Sequence, residues 1–205
     1  ICNMNEQMYP DTHWSENIII ADADYIDKVA FDLTVNFERM INRHIPPADF
    51  AHWAECVVLD GGLKPGSNET TVVLLHRKET TALQNFLPAR LRPDLHGQAF
   101  QGPLGEFTIQ AHPAEDLVGH DDFFLDTVQF VCAQKAVKRI MIVPEADNMA
   151  LMAQLRNILA RVDEDKRITV FSMEPIPGGN FRQELLGYSL MSALGIKADE
   201  IKADY

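Results

Sequence analysis

Three observations predict a three-layer α/β/α fold with a mostly parallel central sheet. Short continuous runs rich in β-branched residues recur at 17–21, 140–143 and 168–171, the composition of strands buried on both faces. The first two runs each lead into a stretch of helical period. Polar or acidic turns separate the elements, so the alternation is βα, which lays strands in parallel with helices on both faces of the sheet.

The elements follow in order. Residues 1–15 are polar, Met-rich and broken by Pro10, and are predicted to be a flexible lead-in to a single α/β domain over 16–205. Asn17-Ile18-Ile19-Ile20-Ala21 is the first strand. Ile26, Val29, Ala30, Leu33, Phe37, Met40 and Ile41 share one helical stripe, closed before Pro46-Pro47. Pro46 to Asp49 opens a second helix carrying Phe50 and Trp53. Cys56 to Asp60 reads as a strand stopped by Gly61-Gly62, and Thr70 to His76 as its antiparallel neighbour, because too few residues lie between them for a helical crossover. Thr81 to Leu91 has a helical face. Residues 94–114 form an insertion with a β-hairpin turning at Gly102-Pro103-Leu104-Gly105. A helix over 121–133, a strand over 140–143, a helix over 149–162, a strand over 168–171 and a helix over 182–194 complete the chain.

Composition narrows the function. Of 205 residues, 46% are apolar and 23% charged, which is globular rather than disordered. The net charge of −12 is evenly spread: 8 basic and 14 acidic residues in 1–102, 10 and 16 in 103–205. Such a surface disfavours broad DNA binding through phosphate neutralisation. No apolar run is long enough to span a bilayer and no signal-like start is present, so a cytoplasmic protein without membrane contact is expected. Homo-oligomerisation is compatible with this composition. Cys2, Cys56 and Cys132 show no C-x-x-C spacing, against a zinc site or a disulfide framework, and Cys56 and Cys132, in apolar stretches, are expected to be core thiols.

Ligands of parallel sheets lie beyond the carboxyl ends of the strands, and there this chain is acidic. Asp22 and Asp24 follow the first strand, Asp60 the expected second, and Glu145 and Asp147 the strand at 140–143, with Asp121, Asp122 and Asp126 opening a helix. Carboxylates drawn from several elements suit Mg²⁺ or Mn²⁺. The competing structural role of each Asp is to cap the next helix. Seven histidines, His120 among them, show no paired metal-ligand spacing, and no Walker, G-x-G-x-x-G or G-x-S-x-G motif is present.

The order strand–Asp, helix, acidic helix start, strand–acid–x–Asp resembles the PIN-like nuclease superfamily, particularly its NYN-type branch. Asp22 or Asp24 matches the first acidic position, Asp122 with Leu125 the second, and Glu145-Ala146-Asp147 the third. In the third motif Pro144 stands for the usual Gly, Glu145 for the first Asp and Asn148 for the Phe. The resemblance implies Asp22, Asp24, Asp122, Glu145 and Asp147 as ligands of Mg²⁺ or Mn²⁺ and RNA as the substrate. The alternative is a non-catalytic α/β domain that binds a protein partner or small ligand.

Overall fold

The computed structural model describes residues 13–115 and 118–201. Seven strands form one sheet in the order β5-β6-β3-β1-β7-β8-β9. They span Asn17–Asp22 (β1), Glu69–His76 (β3), Ala99–Gly102 (β5), Gly105–Pro113 (β6), Arg139–Val143 (β7), Arg167–Ser172 (β8) and Arg182–Leu185 (β9). All neighbours are parallel except the β5–β6 hairpin. A two-residue pair, Ala48–Asp49 (β2) with Phe86–Leu87 (β4), stands apart.

The expected fold class is what the chain adopts. β1 is buried along its whole length at the centre of the sheet, as its unbroken isoleucine run requires. Helices Ala23–Ile41 (α1), Phe50–Asp60 (α2) and Leu186–Ala193 (α5) contribute to one core with Ile19, Val72, Leu74 and Met141. Helices His120–Cys132 (α3) and Met149–Leu159 (α4) form the other with Ile18, Ile20, Val73 and Ile142. Odd and even residues of the same strands thus feed opposite cores. The chain builds outward from β1 to β3 and β6, then crosses back to β7 and β8. The order β6-β3-β1-β7-β8 has its reversal between β1 and β7, where doubly wound sheets open a crevice.

Several local expectations change. The run Cys56–Asp60 is helical, not a strand: it is the last half of α2, whose Phe50, Trp53, Ala54, Val57 and Val58 are buried at helical spacing, with Asp49 capping from its carboxylate to the His52 N–H. A β-branched apolar run satisfies a buried helix face as well as a strand. Asp60 therefore ends a helix and leaves the set of strand-end acids. β3 consequently pairs parallel with β1 instead of antiparallel with 56–60.

The 81–91 segment is not a helix. The Asp27 carboxylate accepts the Gln84 and Asn85 backbone N–H groups at 3.0 and 2.8 Å, and Pro88 lacks the donor a helix would need. The hairpin turns where expected, but β6 also pairs with β3 over its full length, making it a sheet member and β5 the edge. Gly105 is required at that turn. Its φ is +115°, and a Cβ there would lie 2.1 Å from the Asn68 carbonyl oxygen. Residues 182–185 form β9, so the last long helix is α5, followed by Ala198–Ile201 (α6).

Most of the expected lead-in lies outside the described residues. Trp14 and Ser15 at its end are buried; Trp14 packs edge-on against Phe130, and the Ser15 and Thr71 hydroxyls are 2.9 Å apart. Cys132 is buried, with its thiol pushed up to about 12 by burial, whereas Cys56 is half-buried on α2. Among the described residues no helix is long and apolar enough to cross a membrane.

Candidate metal centre

The carboxyl end of β1 carries Asp22 into a buried position, 2% exposed, at the start of α1. Its Oδ1 accepts the Tyr25 N–H at 2.9 Å, an ordinary N-cap. Its Oδ2 lies 2.7 Å from His120 Nε2. The histidine arrives from the first turn of α3, on the opposite face of the sheet, so the contact closes over the crevice between the two layers.

Asp24, in the first turn of α1, faces the segment after β3. It accepts the Arg77 N–H at 2.8 Å and the Thr80 hydroxyl. One carboxylate oxygen from each aspartate and one ring nitrogen of His120 all lie within 4.8 Å of one another. Burial of the imidazole opposes its protonation. The hydrogen bond to Asp22 and the charges of Asp22 and Asp24 outweigh that and raise its pKa. His120 Nδ1 is buried and has no partner among the described residues.

The remaining acids flank this group. Asp147 accepts from the Tyr25 hydroxyl at 3.3 Å and pairs with Lys28 at 3.4 Å. Tyr25 holds its proton far above the ordinary range, through burial, the charge and hydrogen bond of Asp147, and the charges of Glu145 and Asp22. That coupling brings the ends of β1 and β7 to one rim. Asp121 reaches the β7 side by accepting from Asn148 Nδ2 at 2.8 Å, and Asn148 in turn caps α4. Asp122 bears on its own helix instead: after burial, its charge is what raises the Asp126 pKa.

Of the five acids singled out in the sequence, Asp22 and Asp24 belong to the compact group. Glu145 and Asp147 lie around Tyr25, and Asp122 is in the first turn of α3. His120 and Tyr25 escaped sequence reasoning. The available signal for His120 was its place directly before the Asp121-Asp122 helix start.

Beside Asp24 opens a cavity of about 320 Å³ with Thr80 in its wall and His76, Lys78, Arg90 and Arg92 around it. Arg90 is held by Asp94 at 2.9 Å. His76 is buried, its Nδ1–H donating to the Arg77 carbonyl at 2.8 Å, and burial lowers its pKa.

Fold and site together define a doubly wound α/β protein that carries, beyond the carboxyl end of β1, a carboxylate–imidazole group able to hold a metal ion. The chain belongs to a family of unknown function, DUF6621, whose model matches residues 11–201. No curated protein and no solved structure matches it.

Proposed function

We propose that the chain is a divalent-metal-dependent phosphodiesterase acting on RNA, with Asp22, Asp24 and His120 holding the cation. The observation that carries the reading is the convergence of these three ligand atoms within 4.8 Å just beyond the carboxyl end of the central strand β1. Two hard carboxylates with one imidazole suit Mn²⁺ better than Mg²⁺, which prefers an all-oxygen shell and retains its waters. A bound cation of this kind stabilises charge on a phosphoryl oxygen and acidifies water.

The chain's own groups supply the rest. The cavity beside Asp24 offers cations to a phosphodiester, and Arg92 makes no hydrogen bond or ion pair among the described residues. Tyr25, protonated, donates to Asp147 and orients it at the rim. With a surface at −12, such a local cationic wall is what an RNA strand needs to approach.

The test is cleavage of a single-stranded RNA oligonucleotide in Mn²⁺. Wild type is expected to cut, and Asp24→Asn to lose about 10²-fold or more in rate. Equal activity in the two, or no Mn²⁺-dependent cleavage by wild type, contradicts the reading. One observation favours the non-catalytic alternative: both oxygens of Asp22 and of Asp24 already accept hydrogen bonds within the fold. In that reading the group is a clasp between layers, and Mn²⁺ leaves the protein unchanged.

A further inference from the structure

The opposite rim carries the reverse charge. Arg139, Arg167 and Arg182 are the first residues of β7, β8 and β9, which are parallel to β1, so all three stand at the amino end of the sheet. With Lys166 they surround a cavity of about 480 Å³ that is closed on one side by Gly61-Gly62 and also lined by Phe181.

The cations are poorly compensated. Arg139 and Arg167 are direct register partners on adjacent strands, a like-charge pairing that destabilises a sheet. Burial first, then the charges of Arg167 and Arg182, lower the Arg139 pKa. Among the described residues the four hold one ion pair, Arg182 with Glu184 at 3.2 Å. Asp60 does not relieve them, since its own pKa is raised by burial and by Glu184. Arg139 donates to the Gly61 carbonyl while its Nε is buried without a partner. Lys166 donates to the carbonyls of Gln134 and Val137, which orients the ammonium without neutralising it. At Gly62, φ +84°, a Cβ would meet guanidinium nitrogens of both Arg139 and Arg182 at 3.2 Å. The glycine thus allows the two forks to share one wall.

We propose that this cavity is a binding site for a small polyphosphate, inorganic or nucleoside-linked. Guanidinium forks match phosphate oxygens bidentately, and several cations call for several negative charges. The volume falls in the range of small-ligand pockets, roughly 300–1,000 Å³. Asp163, Glu164 and Asp165 directly precede Lys166 and are exposed, so a polyanion long enough to extend past the cavity meets added repulsion there. The site is separate from the carboxylate–imidazole group and stands or falls without it.

The experiment uses the full chain in EDTA, titrated with tripolyphosphate, ATP and an RNA oligonucleotide by calorimetry and thermal melting. Tripolyphosphate or ATP is expected to bind and raise the Tm. Tighter binding of ATP identifies a nucleotide ligand, and equal binding an inorganic one. Arg167→Ala and Arg182→Ala, both at exposed positions, are expected to weaken binding about tenfold or more. Without ligand, Arg167→Ala is expected to melt higher than wild type, since it removes the cross-strand repulsion. Asp24→Asn is expected to bind polyphosphate normally. The proposal is overturned if neither polyphosphate binds, if the arginine variants bind unchanged, or if RNA competes for the cavity more tightly than both.

Discussion

One oxygen of Asp22 caps α1 while the other meets His120, so a single buried carboxylate ties the strand end to helices on both faces of the sheet. The imidazole is the titrating half of that clasp. Its pKa is raised in the folded chain, so its contribution to stability is fully present below the unfolded value of about 6.5 and is lost as pH rises through the folded value. His120→Gln is therefore expected to cost more at pH 5.5 than at pH 9. The acid-side loss should be about 1–3 kcal/mol, the scale of a hydrogen bond to a charged group. Urea unfolding in EDTA at the two pH values measures it. An equal loss at both would mean that the contact is a neutral hydrogen bond.

At the scale of elements, the segment after β3 is organised by α1 rather than by its own sequence. Asp27 holds Gln84 and Asn85, Asn85 offers its carbonyl to the Ala48 N–H, and Asp24 holds Arg77 and Thr80. Asp27→Ala leaves two backbone donors without their acceptor and should cost about 1–3 kcal/mol. Hydrogen exchange should show faster exchange at Gln84 and Asn85 with β1 still protected; unchanged exchange there would show that the carboxylate is dispensable.

The same dependence explains what the sequence could reveal. β1, β7 and β8 were legible because strands covered on both faces need continuous apolar runs. Val57-Val58-Leu59 was not, because a helix buried on one side presents the same short string. β9, Arg182-Gln183-Glu184-Leu185, has no β-branched residue and no fully buried side chain, so nothing marked it as a strand. Asp22 and Asp24 were legible from the rule that ligands gather at strand ends. His120 was not, because it reaches Asp22 from 98 residues away across the sheet.

For the whole molecule, the net −12 conceals a polarity. Acids gather at the carboxyl ends of β1 and β7 around Asp22, Tyr25 and Asp147, cations line the cavity next to them after β3, and arginines line the amino rim of β7, β8 and β9. The cation site proposed at Asp22, Asp24 and His120 lies on the acidic rim. Its most direct measurement is the melting temperature across a Mn²⁺ titration. At about 100 times the dissociation constant, a site confined to the folded state adds about 2.7 kcal/mol, a rise of roughly 5–10 °C for a chain of this size. Wild type and Asp147→Ala are expected to show that rise, reversed by EDTA, while Asp24→Asn and His120→Ala show none. Equal shifts in all four proteins, or no shift in wild type, would contradict the site.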